Sequence, residues 1–251
     1  MCRQSVTPLR QPSALSVCLA TYNGELFIEN QIHTILADIS SCDEVVVVDD
    51  ASSDRTIAII EAFRDPRIRI YTNPVNQGHV KTFERAIGLA RGRYICLADQ
   101  DDLWPLGRTS NMTNALKRFD VVAGQFSVFA IGGEVSTSNL RPVDSSHPLR
   151  NILGLAMGRR EYFGCAMAFR SEIRRYLLPI PGYVEAHDHW LALSGNICGN
   201  LGHIDDTVVL RRIHDNNLTQ SRRTLSSVAR TRVIWVLSVT HLLLRRIISH
   251  R

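Results

Sequence analysis

The sequence predicts an α/β fold, a mostly parallel sheet flanked by helices. Three observations predict it. Apolar runs at 15–20, 45–48, 68–71 and 94–98 start 30, 23 and 26 residues apart with helical patterns between them, the spacing of strand–helix–strand crossovers. Val45-Val46-Val47-Val48 lacks polar alternation, as expected of a central parallel strand covered on both faces. Polar and acidic residues follow each strand, which places a ligand crevice beyond their carboxyl ends.

The first strand runs into Thr21-Tyr22-Asn23-Gly24-Glu25 and a helix over 25–37. The second runs into Asp49-Asp50-Ala51-Ser52-Ser53-Asp54-Arg55-Thr56. There Asp54 is placed to cap a helix over 54–63. The third ends in the segment 73–78, where Asn76 and Gly78 shape the turn into a helix over 80–90. The fourth ends at Asp99-Gln100-Asp101-Asp102. No glycine-rich phosphate loop is present. A carboxylate-rich edge repels a bare diphosphate, so a phosphate ligand there needs a divalent cation, Mg²⁺ or Mn²⁺.

The second half is less regular. It predicts strands and a glycine turn over 123–134, a loop over 136–147, a strand over 162–169, a helix over 185–194 and a short strand over 207–212. No Pro/Gly/Ser linker divides the halves, so 14–104 and 105–220 read as two parts of one domain, with a tail over 221–251.

Composition narrows the function. With 45% hydrophobic and 21% charged residues, the 251-residue chain is globular rather than disordered. The net charge of +5 first suggests an anionic partner, but its position matters more. Residues 222–251 hold seven arginines and no acid, so the body carries −2. The tail alternates arginines with aliphatics rather than aromatics, which argues against nucleic acid. Its apolar run over 233–244 is too short to cross a bilayer, which takes about 20 residues. Two readings remain: a helix packed on the domain, or a basic amphipathic helix making peripheral membrane contact through 222–251. No N-terminal run resembles a signal peptide, so a cytoplasmic protein is expected, at the inner face of the cytoplasmic membrane on the second tail reading. The six cysteines lack metal-finger spacing.

Together the motifs carry a resemblance. Thr21-Tyr22-Asn23, DDASSDRT at 49–56, Asn76-Gln77-Gly78 and LADQDDLW at 97–104 are similar to the nucleotide-sugar half of family 2 glycosyltransferases of GT-A fold, whose sheet is Rossmann-like. FGCAMAF at 163–169, AHDHWLAL at 186–193 and RIHDNN at 212–217 follow in that family's order. DQDDLW with HDHW most resembles its bacterial rhamnosyltransferase-like branch. The resemblance implies a sugar transfer from a nucleotide-diphosphate donor, dTDP- or UDP-linked, to a hydroxyl of a glycan or lipid-linked acceptor. Thr21, Asn23, Glu25, Asp50 and Asp99 would bind the nucleotide. Asp101 of the DXD element would be the metal ligand and His214 a metal or phosphate contact. Trp104, Gly164, Cys165, His187, His189 and Trp190 would line the acceptor or sugar pocket, with core packing the alternative for the two tryptophans and a strand glycine the alternative for Gly164. An inverting transfer needs a base for the acceptor hydroxyl. The resemblance favours Asp188, while His187 and His189 have reference pKa values nearer neutrality. A helix cap is the structural alternative for Asp188. Ala51 and Arg108 stand where the family commonly has Gly and Lys, and Arg211 replaces an aromatic. Two rivals differ in class. One is a nucleotidyltransferase, which needs an N-terminal basic glycine-rich loop not found here. The other is a catalytically degenerate nucleotide-sugar-binding scaffold.

Overall fold

A computed structural model describes residues 14–130, 133–137, 140–212 and 225–249. The first four strands, β1 (Leu15–Thr21), β2 (Glu44–Asp49), β3 (Ile68–Thr72) and β4 (Tyr94–Ala98), pair in parallel in the order β3-β2-β1-β4. Between them run α1 (Ile28–Asp38), α2 (Thr56–Ala62) and α3 (His79–Leu89). The expected alternation is therefore present, each helix shifted by one to three residues.

Period-two alternation explains why apolar runs make this sheet. Cys18, Val46, Val48, Ile95 and Leu97 face one core with Phe83 and Ala86 of α3. Val17, Leu19, Val45, Val47 and Cys96 face the other with Ile28, Ile32 and Ile35 of α1. β1, β2 and β4 thus bury both faces, at about 1.5–3 kcal/mol per large aliphatic side chain, while the edge strand β3 is only half-buried.

The second half extends the same sheet with different elements. α4 (Arg108–Ala115) precedes β5 (Val121–Ala130), and β6 (Gly133–Thr137) follows it. A 3-10 turn at Pro142–Ser146 leads into α5 (Pro148–Ala156), so the segment expected as a loop holds a strand end and a helical turn. β7 (Met167–Arg170) is antiparallel to both β4 and β5 and joins the two halves. The expected strand over 162–169 begins as a 3-10 turn at Gly164–Ala166. After α6 (Arg174–Leu177) come α7 (His187–Cys198) and β8 (Leu201–Arg212), which runs parallel to β5. β8 starts six residues earlier than the sequence predicts because Asp205-Asp206 interrupts its apolar pattern. β5 pairs with β8 on one edge and with β7 then β6 on the other.

The tail forms α8 (Leu225–Ser249). Its inner face packs on the body through buried Ser238 and Leu242, with Trp235 and Val239 at the margin of the core. Arg245 donates to the carbonyls of Tyr176 and Pro179, and Arg246 to that of Ile197. Packing on the domain is thus observed. The opposite face exposes Val233, Val236, Leu237, Leu243, Leu244, Ile247 and Ile248. No helix among the described residues is long and apolar enough to cross a membrane.

Candidate active site

The carboxyl ends of β1, β2 and β4 are stitched together by their own loops. Asn23, in left-handed backbone at φ 47°, donates its N–H to Ser52 Oγ (2.9 Å) and accepts from the Ser53 N–H (2.9 Å). The Glu25 N–H donates to Asp54 Oδ2 (3.0 Å), and Glu25 Oε2 accepts from the Arg55 N–H (3.0 Å). Asp54 also accepts from the Thr56 N–H (2.9 Å), but the N-cap position of α2 is Arg55, so the expected cap stands one residue outside it. Gln100, the middle residue of the DQD triplet, pairs with the Tyr22 backbone in both directions, at 2.8 and 3.0 Å. Sequence reasoning passes over Gln100, since nothing in the triplet marks a side chain that imitates a strand neighbour. The exposed side chains of Asn23 and Glu25 therefore rim one crevice.

The two acids after β2 do different work. Asp49 is fully buried and accepts from Thr21 Oγ1 (3.0 Å) and the Ser52 N–H (2.8 Å). Asp50, 3% exposed, accepts from Asn73 Nδ2 (2.7 Å) and from the Gln77 (2.9 Å) and Gly78 (2.8 Å) N–H groups. Burial alone would raise its pKa, but these bonds hold it below the usual carboxylate range. Its observed role is to fix the turn into α3, where Gly78 takes φ 83°. Thr82 adds a further side-chain bond, so most of the roughly four acceptor positions of Asp50 are already occupied. Thr21 is likewise buried and spends its hydroxyl on Asp49, so it supports the pocket from beneath.

After β4 the acids crowd. Ligand atoms of Asp99, Asp102 and Cys165 lie within 4.8 Å of one another. Asp101 is outside that trio but close enough for its charge to act on both carboxylates. The last Asp of the triplet, expected as the direct metal ligand, is thus beside the convergent group rather than in it. The reason is local: Asp102 follows the turn inward, where its Oδ1 accepts from the Arg212 N–H (3.2 Å). Burial and mutual repulsion push Asp99 and Asp102 up from ordinary carboxylate values. One buried oxygen, Asp102 Oδ2, has no hydrogen-bond partner among the described residues. Crowded, underbonded carboxylates fit a hard divalent cation. Cys165 does not, since burial raises its thiol pKa well above the ordinary value and a protonated sulfur is a poor ligand for such an ion. His214 lies outside the described residues.

Arg211 supplies the positive counterpart. Its guanidinium lies over the Phe163 ring at 4.1 Å and near Phe126 at 5.5 Å, and its charge offsets the acids of Asp99 and Asp102. Against the family pattern it looks like a departure; in space it is a cation held against two aromatic faces.

The first turn of α7 lies within electrostatic reach of these acids. Asp188 is the second residue of the helix and accepts from the His189 N–H (2.7 Å), while the N-cap is Ala186. Asp188 is thus not the cap residue, and its charge reaches Asp99. His187 is 8% exposed and stacks on Phe83 (4.1 Å), with His79 edge-on at 5.6 Å. Both its ring nitrogens are buried and without a partner among the described residues, and burial lowers its pKa to about 4. It therefore sits neutral beneath the site rather than lining it. Gly164 makes room for it: a Cβ there would overlap His187 Nε2. His189 is half-buried beside Asp188.

Of the two readings open for the tryptophans, pocket wall or packing, both side chains show packing. Trp104 is 4% exposed in the core, covered by the Arg108 guanidinium 4.0 Å from its ring. Trp190 is 1% exposed, and its indole N–H donates to the Leu177 carbonyl (2.9 Å). The Trp190 N–H is thus satisfied in the core, whereas Trp104 Nε1 is buried with no hydrogen-bond partner among the described residues. Cys165 and Gly164 are also buried and shape the floor.

The sheet with an acidic cluster at its parallel edge is of the GT-A type. The sequence profile of Glycosyl transferase family 2 matches residues 16–177, and the chain belongs to that family. The Rhizobium meliloti succinoglycan biosynthesis protein ExoO is 36% identical over 110 residues, 44% of this chain and 31% of the relative. The Shigella flexneri dTDP-rhamnosyl transferase RfbG is 36% identical over 105 residues, 39% of this chain and 36% of the relative. The Escherichia coli UDP-Glc:alpha-D-GlcNAc-diphosphoundecaprenol beta-1,3-glucosyltransferase WfgD is 34% identical over 90 residues, 36% of each. These matches span about a third of the relatives' lengths. Among solved structures, S. aureus TarS in complex with UDP-GlcNAc superposes with a TM-score of 0.71 at 17% identity, over 93% of this chain and 71% of that one. The mannosyltransferase PcManGT from Pyrobaculum calidifontis, in complex with GDP-Man and Mn²⁺, gives 0.61 at 18%, over 96% and 76%.

Proposed function

We propose that this chain is an inverting glycosyltransferase moving a sugar from a nucleotide-diphosphate donor to a hydroxyl of a glycan or lipid-linked acceptor. The observation that carries the reading is the approach of Asp188, at the start of α7, to the acidic cluster that ends β4. An inverting displacement needs a base on one side of the anomeric carbon and charge neutralisation at the leaving diphosphate on the other. Asp188 supplies the first, taking the acceptor hydroxyl proton on its carboxylate. His187 is too buried to reach an acceptor. Asp99 and Asp102, with Asp101 beside them, would hold Mg²⁺ or Mn²⁺. When bound, that ion supplies Lewis-acid neutralisation of the departing diphosphate. Asn23 and Glu25 on the rim, with Asp50 behind them, receive the nucleotide. A dTDP- or UDP-sugar is supported by the named activities of RfbG and WfgD, and WfgD's name also supports a lipid-diphosphate acceptor. The apolar outer face of α8 supports peripheral membrane contact by the tail at the membrane's inner face.

Asp188→Asn decides the matter. A panel of nucleotide sugars, screened by thermal shift with Mn²⁺, identifies the donor by mass action. The variant is expected to keep that shift while losing transfer about 10²-fold or more, the usual size of a general-base contribution. Near wild-type transfer by the variant would remove Asp188 from the mechanism. A donor that binds wild type but is never turned over would favour the scaffold.

A further inference from the structure

A second site lies away from the acidic crevice. A cavity of about 460 Å³ is lined by Arg141, Arg150, Arg159 and Arg160, with Asp144 the one acid among its lining residues. Arg160 is paired with Asp144 at 2.5 Å, while Arg141 and Arg150 are exposed at the rim. The cavity is well separated from the carboxylates that end β4. Asn151 of α5 approaches Asn196 at 3.3 Å, eight residues and about 12 Å along α7 from Asp188. Ser145, next to Asp144, meets His203 near the start of β8, whereas Asp102 meets Arg212 at its end. The donor diphosphate therefore does not account for these arginines.

The rim identifies the partner. α5 and its C-cap expose Leu149, Leu153 and Met157, four residues apart on one stripe, and Val143 is exposed beside them. Apolar side chains standing next to a basic cavity match the boundary of an anionic bilayer, where acyl chains and phosphates are neighbours. α5 also touches α8, whose outward face is apolar over 233–248. The two stripes thus belong to adjoining helices.

We propose that the α5 cavity binds the phosphate of an anionic membrane lipid. Arg141 and Arg150 hold the headgroup, while Leu149, Leu153 and Met157 enter the acyl boundary. This site goes beyond tail contact. It fixes the body of the protein on the bilayer at a second point, and so sets its orientation. Vesicle binding needs neither donor nor turnover, so it stands or falls separately from the glycosyl-transfer reading.

The test is co-sedimentation with phosphatidylcholine vesicles, with and without phosphatidylglycerol. Wild type is expected to pellet with the anionic vesicles only. Arg141→Gln/Arg150→Gln should lower the partition coefficient roughly 25-fold, about fivefold for each charge removed near such a surface. Leu149→Ser/Leu153→Ser should lower it at least about tenfold. These side chains are exposed, so both variants should keep the wild-type unfolding midpoint. Leu244→Ser/Ile248→Ser measures the contribution of α8 alone. Three results would overturn the proposal. The first is wild-type binding that phosphatidylglycerol does not increase. The second is undiminished binding by both α5 variants together with lost binding by the α8 variant. The third is undiminished binding by Arg141→Gln/Arg150→Gln alone, which would leave the apolar stripe with no headgroup site beside it.

Discussion

Single residues at the crevice carry measurable strain. Ala51 takes φ 63° in the DDASS turn, where the family resemblance expects Gly. A left-handed Cβ-bearing residue costs about 1–2 kcal/mol, although Gly gives back part of that through its freer unfolded chain. Ala51→Gly is therefore expected to raise stability by roughly 0.5–1 kcal/mol, read from chemical denaturation, with donor binding kept. Gly164 makes the opposite case. The His187 ring is held by Phe83 and His79, so it cannot retreat from a new Cβ. Gly164→Ala should cost about 1–3 kcal/mol. It should lower transfer more than donor affinity, since Asp188 adjoins the displaced ring; equal losses in both would deny that link. Residue roles were unevenly legible. Asp188 and the acids after β4 were marked by spacing and resemblance, yet Trp104 and Trp190 look alike in sequence whether they wall a pocket or fill a core. Only their surroundings, Arg108 over one ring and the Leu177 carbonyl against the other, separate the cases.

At the scale of elements, β4 and β8 are fastened by one buried side chain. Arg108 is 1% exposed and donates to the Val208 carbonyl (2.6 Å) and the Leu97 carbonyl (3.0 Å) while covering Trp104. A lysine can reach one carbonyl but cannot fork between two. Arg108→Lys should cost about 1–2 kcal/mol and Arg108→Met more, since a buried carbonyl left unpaired costs about 1–3 kcal/mol. Equal melting temperatures for wild type and Arg108→Met would show that the bridge contributes nothing. The first four strands were readable because parallel strands buried on both faces are unbroken apolar runs, seen best over 45–48. The second half was harder for physical reasons. β7 has only four residues, and the Gly164–Ala166 turn before it has the composition of a strand. α5 escapes a periodicity reading because Arg150 and Asn151 break its apolar pattern, and its exposed leucines face away from the core. The same inversion of pattern makes it a docking surface.

Across the described residues, an acidic cluster stands at one sheet edge and arginine-rich surfaces at α5 and α8. Protonation should act on these regions differently. Asp99 and Asp102, raised by burial and repulsion, favour the folded state at low pH. The buried histidines act the other way. His203 is pressed down to about 4 by burial and by Arg160, against Asp144, and its Nε2 meets the Tyr162 hydroxyl at 2.8 Å. It stays neutral in the native state and takes up a proton near 6.5 when unfolded. Its contribution is complete above pH 6.5 and is lost as pH falls from 6.5 toward 4, on the order of 3 kcal/mol over that window. A bulk pH profile adds both trends, so the difference between wild type and His203→Gln is the informative quantity. Glutamine can keep a bond to Tyr162 but carries no proton to titrate. Any stability advantage of wild type over the variant should therefore be constant above pH 6.5 and shrink steadily toward pH 4. Denaturation midpoints measured at half-unit steps would show this, and a pH-independent difference would mean that His203 titrates alike in the folded and unfolded chains.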